Sequence, residues 1–130
     1  METRNTIQRA LVLEAVRRFA GHGTAEELYQ AVAQRYPHIR KGTVYRNLQR
    51  LCELGEIRRV EVPDGADRYD RILEDHYHVR CDGCGRVSDV GMAYLPRLEE
   101  AVEDRHGFLL TGHTLLFRGL CPECQRKRGR

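Results

Sequence analysis

Apolar residues recur at helical spacing in three successive segments, and the pattern then gives way to short extended runs. From about Thr6 to Ala20, Leu11, Val12, Ala15, Val16 and Phe19 share one stripe, which Gly21-His22-Gly23 interrupts. Thr24, with Glu27 in the capping-box position, opens a second helix that buries Leu28, Ala31 and Val32 and ends at Tyr36-Pro37. A third helix from about Lys41 to Leu54 buries Val44, Leu48, Leu51 and Leu54 and stops at Gly55. Ile57–Val62, a turn at Pro63-Asp64-Gly65-Ala66-Asp67, and an extended piece at Arg68–Ile72 then form a two-stranded wing. Together these parts predict a winged helix-turn-helix.

Charge sharpens the picture. The net charge is only +3, but residues 1–60 hold 11 Lys and Arg against 6 Asp and Glu, whereas residues 61–125 hold 7 against 13. The front half has the electrostatics of a nucleic-acid binder and the back half does not. The tail Arg126-Lys127-Arg128-Gly129-Arg130 is basic again, and a solvated terminus is its default reading. No apolar run approaches the roughly 20 residues that span a bilayer, and Met1-Glu2-Thr3-Arg4 is not a targeting signal, so a cytoplasmic protein is expected.

Two CxxC pairs, Cys81-Asp82-Gly83-Cys84 and Cys121-Pro122-Glu123-Cys124, have the spacing of one tetrahedral zinc site. Each tight turn aims both its sulfurs at one ion, and a closed shell of four thiolates is structural. Two disulfides or one redox CxxC are the alternatives, and a chain with no secretory signal disfavours disulfides. Cys52, on the third helix, reads as a small buried apolar residue rather than a ligand or sensor.

A harder ligand set lies beside the first pair. In a strand, His76 and His78 project from one face while Tyr77 points away. If Cys81 and Arg86 flank the Asp82–Gly85 turn symmetrically, His78 lies directly across the hairpin from Asp89. Two imidazoles and a carboxylate then converge, as a metal requires. On the third helix, Lys41, Thr43, Tyr45, Arg46, Gln49 and Arg50 are expected on the solvent side. This set suits major-groove recognition, with Arg46 on a phosphate or a guanine, and it equally suits an ordinary solvated face.

These residues carry a resemblance to the ferric uptake regulator family of metal-dependent bacterial repressors. The matching features are Thr6-x-Gln8-Arg9, Thr24-Ala25-Glu26-Glu27-Leu28-Tyr29, Gly42-Thr43-Val44-Tyr45-Arg46-Asn47-Leu48 and Arg68-Tyr69-Asp70. They continue through Asp75-His76-Tyr77-His78, both CxxC pairs, and Gly107-Phe108 leading to Gly112-His113. The resemblance implies an α+β chain. Residues 1–71 would be a winged-helix DNA-binding domain and residues 72–130 a small α/β dimerisation domain stapled by zinc, with a hinge near Asp70–Leu73 and a helix around Pro96–His106. It implies a regulatory Fe(II) or Mn(II) site of His22, Asp70, His76, His78 and Asp89, to which His22 is assigned by resemblance alone.

Aspartate at both acidic positions resembles the peroxide-responsive branch, in which His22 and His76 would be the oxidation targets. Arg71 stands where zinc-uptake regulators carry a cysteine ligand. The family's second metal site looks degraded, since Tyr77 and Pro96 replace acids beside His113, which is left a structural or surface role. Most family members carry a further helix before the segment that begins here at Thr6, where only Met1–Asn5 precede it, so a different DNA affinity or footprint is expected.

The expectation is therefore a homodimeric repressor activated by Fe(II) or Mn(II), binding double-stranded DNA through Lys41, Thr43, Tyr45 and Arg46 and sensing peroxide by oxidation of its ligand histidines. An iron- or manganese-uptake regulator without peroxide sensing is the nearest alternative. A non-haem iron enzyme and a zinc-stapled interaction module are more distant ones; the first lacks a cosubstrate pocket in the sequence, and the second requires no specific DNA binding.

Overall fold

The computed structural model describes residues 3–128. The chain divides into two compact units, Met1–Glu74 and Asp75–Arg130.

In the first unit, α1 (Arg4–Arg18), α2 (Ala25–Arg35) and α3 (Lys41–Glu53) surround a core of Val12, Val16, Leu28, Val32, Val44, Leu48, Leu51 and Ile57. Each such side chain removed from water contributes about 1.5–3 kcal/mol before chain entropy is subtracted. Thr3 caps α1 by accepting from Thr6 N at 3.2 Å. The capping box of α2 closes both ways, with Glu27 N on Thr24 Oγ1 at 3.1 Å and Thr24 N on Glu27 Oε1 at 2.9 Å. At the end of α3, Glu56 N bonds Leu51 O and Gly55 N bonds Cys52 O, both at 3.0 Å. This paired closure needs a left-handed residue, which Gly55 supplies with φ 74°.

Leu54 is the cap residue there and is 43% exposed, not buried as its spacing suggests, because the chain has already turned off the helix. Cys52 packs half-buried against the core, and burial pushes its thiol pKa up.

The wing is shorter than its apolar pattern. Strand β2 (Arg58–Val60) stops because Val62 N bonds the Asp67 carboxylate, and β3 (Arg68–Asp70) stops because Ile72 N turns back to Asp70 Oδ1 at 2.8 Å. A two-residue strand, β1 (Gly23–Thr24), pairs with the other side of β3 and gives the order β1-β3-β2, which the sequence did not reveal.

In the second unit, β4 (Tyr77–Cys81) lies between β5 (Val87–Val90), antiparallel, and β6 (Leu116–Gly119), parallel. The β4–β5 hairpin closes with Cys81 N on Arg86 O at 2.8 Å and places His78 opposite Asp89, the expected register. A final helix, α4 (Pro122–Arg128), follows β6. It takes in most of the basic tail, whose last two residues, Gly129 and Arg130, lie outside the described residues.

The helix expected around Pro96–His106 is reduced to one 3-10 turn, Leu98–Ala101. A short helix needs a face to bury, and here Val102, Phe108 and Leu109 are 43%, 72% and 86% exposed. Among the described residues no helix is long and apolar enough to cross a membrane.

Candidate functional site

The four CxxC cysteines are brought together by strand pairing. Parallel β4–β6 pairing sets Gly119 beside Cys81, and Asp82 N bonds Gly119 O at 2.8 Å, so Cys121 emerges next to the first CxxC turn. Cys121 precedes α4, and Cys124 is one helical turn further on the same side, with Gln125 N bonding Cys121 O at 2.9 Å. The four sulfurs lie within 4.8 Å of one another, and Cys84 Sγ is 3.9 Å from Cys121 Sγ. Zinc–sulfur bonds of about 2.3 Å at tetrahedral angles put sulfurs about 3.8 Å apart, so the cluster fits such an ion.

One of the four thiols is already poised to ionise, and another needs a cation to do so. Cys81 Sγ accepts from the backbone N–H groups of Gly83, Cys84 and Cys121 at 3.3–3.4 Å, and such bonds, that of Cys121 foremost, lower its pKa to about 6. The Cys124 thiol, pressed by neighbouring sulfurs, is pushed up to about 12, so an uncompensated cluster resists full ionisation and a cation relieves it. Gly83 leaves the necessary space: a Cβ there would stand 2.7 Å from Cys124 Sγ.

The harder ligands are placed by each unit separately. In the first, β1 pairs Gly23 with Tyr69 and thereby carries the preceding His22 to Asp70, where Nδ1 is 3.7 Å from Oδ1. Arg68 Nη1 fixes this loop by donating to His22 O at 2.8 Å. Gly21, with φ 91°, and Gly23, whose Cβ would meet Phe19 and Leu28 at 3.1 Å, are what the bend demands on either side of His22. In the second unit, Asp89 Oδ1 lies 3.1 Å from His76 Nε2 and 3.4 Å from His78 Nε2, and the two rings are 4.5 Å apart. That trio is the one the strand parity predicts.

Tyr77, on the opposite face of β4, is buried in a network the sequence did not show. Its hydroxyl accepts from Leu95 N at 2.9 Å and meets His113 Nε2 at 2.6 Å, and His113 Nδ1 bonds Glu99. An ionised Glu99 carboxylate only accepts, so His113 Nδ1 donates to it, and in the neutral ring Nε2 then accepts from the Tyr77 hydroxyl. The His113 hydrogen bond holds the Glu99 carboxyl below the usual range, and Tyr94 stacks on the imidazole at 5.0 Å. His113 therefore has a structural role.

On α3, Lys41, Tyr45 and Arg46 are exposed as expected, but Thr43 is only 9% exposed. It sits 100° round the helix from Val44, on the edge facing α1, and lines a polar cleft of about 360 Å³ with Gln8, Arg9, Arg46 and Arg50. Gln8 and Arg9, known before only as part of a motif, thus join the cationic surface. Lys41 and Tyr45 both engage Glu26, at 2.7 and 3.1 Å.

A profile of the ferric uptake regulator family matches residues 1–118. The chain is 33% identical to the peroxide operon regulator of Bacillus subtilis over 124 residues, 95% of this chain and 86% of that protein. It is 32% identical to the peroxide-responsive repressor PerR of Staphylococcus aureus over 124 residues, 95% of this chain and 84% of that one. Among solved structures it is similar to the peroxide stress regulator of Campylobacter jejuni, with a TM-score of 0.69 and 30% identity over 93% of this chain and 91% of that one. It is also similar to the Helicobacter pylori ferric uptake regulator Fur, described with three functional metal binding sites, with a TM-score of 0.74 and 26% identity over 94% and 82% of the two chains.

Proposed function

The chain belongs to the ferric uptake regulator family, and on that premise we propose that it is a homodimeric, metal-dependent transcriptional repressor of the peroxide-responsive type. Cys81, Cys84, Cys121 and Cys124 hold a structural zinc. His22, Asp70, His76, His78 and Asp89 hold a regulatory Fe(II) or Mn(II), to which imidazole and carboxylate donors are suited. The observation that carries this reading is that each unit gathers a part of one mixed His and Asp ligand set: His22 with Asp70, and His76 and His78 with Asp89.

An ion bound by ligands of both units favours the arrangement in which all can reach it, a population shift whose size is its difference in affinity for the two states. Spacing of the two recognition helices in a dimer decides whether both half-sites are met at once. Exposed Phe108, Leu109, Val102 and Phe117 on the second unit give the dimer contact its apolar surface. Bound iron supplies the redox chemistry toward peroxide. Ligand imidazoles are the oxidisable groups nearest to it; when a ring carbon of His22 or His76 takes one oxygen from H2O2, water leaves, and the altered ring is a poorer ligand.

The test is DNA binding by the zinc-loaded protein, using a duplex selected from a randomised library, with Fe(II) or Mn(II), before and after peroxide. Binding should require the second metal, and peroxide should abolish it for the Fe(II) form alone. Metal-dependent binding that survives peroxide with Fe(II) would make the protein an iron or manganese regulator instead. Binding to no duplex would remove the repressor reading.

A further inference from the structure

Glu26, in the first turn of α2, gathers three donors on an exposed carboxylate. Lys41 Nζ at 2.7 Å and Tyr45 OH at 3.1 Å both reach Oε2, and Gln30 Nε2 reaches Oε1 at 3.1 Å. Helix capping does not account for it, because Glu27 closes the capping box. Stability does not either: the Glu26 and Lys41 side chains are 48% and 51% exposed, and exposed pairs contribute little. Two of the three donors belong to the face of α3 proposed above to meet DNA, where a carboxylate is otherwise repelled by phosphate.

We propose that Glu26 sets the balance between sequence-specific and backbone-only DNA binding, by withholding Lys41 from phosphate and by orienting Tyr45 toward base edges. The proposal rests on α3 being the recognition helix. In helix-turn-helix docking the first helix of the pair crosses the phosphate backbone while the second enters the major groove, so the start of α2 faces phosphates. Non-specific binding draws on phosphate contacts alone, so a lysine held by a carboxylate weakens it directly. A specific complex keeps the Glu26 contacts and gains from a phenol already fixed in direction. Glu26 thus acts as a positioning residue that also lowers the attraction for random sequence.

Two substitutions separate the roles. Glu26→Gln removes the charge that holds Lys41 but keeps an oxygen for the Tyr45 hydroxyl; Glu26→Ala removes both. The 130-residue chain, loaded with zinc and Mn(II), is titrated with sonicated mixed-sequence duplex DNA and with the duplex the wild type selects from a randomised library, across a salt series. Glu26→Gln should bind mixed DNA about tenfold more tightly, with a salt slope steeper by about one per protomer, while its affinity for the selected duplex changes little. Glu26→Ala should share that gain and also lose affinity for the selected duplex.

Unchanged mixed-DNA affinity and salt slope in Glu26→Gln would overturn the proposal. So would a loss confined to the selected duplex, which would make Glu26 a direct base reader. Failure of the wild type to select any duplex would sink the DNA reading itself, and that result is visible before either variant is made.

Discussion

His78 stands directly across the β4–β5 hairpin from Asp89, with Nε2 3.4 Å from the carboxylate oxygen that also lies 3.1 Å from His76 Nε2. One oxygen facing two imidazoles marks where a cation would draw three ligands without moving the strands. Asp89→Ala or His76→Ala should therefore leave the fold and zinc content intact while weakening metal-activated DNA binding, most where Mn(II) is limiting. Losing one ligand is expected to lower metal affinity by more than tenfold, measured by Mn(II) titration of the zinc-loaded protein. Wild-type Mn(II) affinity in both variants would rule the trio out as ligands.

The cysteine cluster should govern the folding of the second unit. Among the described residues only Tyr77, Cys81 and Val87 there are buried apolar side chains, too few to hold some 50 residues without a staple. Cys121→Ser should lose the zinc and the thermal transition of this unit while the helices of the first unit persist by circular dichroism. Gly83→Ala leaves every thiol in place, yet its Cβ would stand 2.7 Å from Cys124 Sγ, so it should also weaken zinc retention against a chelator.

What the sequence disclosed and what it hid divide by distance along the chain. The capping box at Thr24 and the His78–Asp89 register depend on near neighbours and a short turn, and both are present in the fold. The approach of His22 to Asp70 depends on a two-residue strand pairing with β3 residues 44 and 46 positions away, and no periodicity exists in two residues. Thr43 defeats a simple face assignment because α1 packs beside α3 and covers the edge next to Val44. Glu99 was hidden for a related reason, since its link to His113 requires the crossover before β6 to be folded. The Pro96–His106 segment has helical composition but buries none of its residues, and composition alone does not hold a helix.

The Tyr77–His113–Glu99 network makes its own pH prediction. Glu99 has a lowered folded-state pKa, so its contribution to stability is complete above the ordinary carboxylate range and is lost as pH falls through the lowered value. Glu99→Gln should melt below wild type near neutrality, and the gap should close in acid. Tyr77→Phe should cost about 1 kcal/mol at neutral pH by leaving Leu95 N–H and His113 Nε2 without the hydroxyl. A Glu99→Gln melting difference that is constant across this acid range would show that the carboxylate charge plays no part.

Arg46 is exposed on α3 and borders the cleft that Arg9 and Arg50 also line. Arg46→Ala should weaken binding to a library-selected duplex by about 1–3 kcal/mol and relax the preferred sequence if the guanidinium reads a base. If it contacts phosphate, the loss should be uniform across sequences and the salt slope should fall by about one per protomer. Unaltered affinity in both Arg46→Ala and Arg9→Ala would move the interface off this surface.

Peroxide response turns on which groups lie next to the regulatory ion. With Fe(II) bound, brief H2O2 treatment should add one oxygen to His22 or His76, found by peptide mass spectrometry, together with loss of DNA binding. Mn(II) should protect both residues because it reacts poorly with peroxide. The four zinc cysteines should stay unmodified over the same interval, since their thiolates are held in a closed, redox-inert shell. Histidines unmodified in the Fe(II) form, with DNA binding intact, would leave metal activation standing and remove peroxide sensing. Oxidation confined to the cysteines would place the sensor at the zinc cluster, where loss of the staple would release DNA by unfolding the second unit. Zinc release measured alongside the mass shift separates these outcomes, because histidine oxidation leaves the zinc in place.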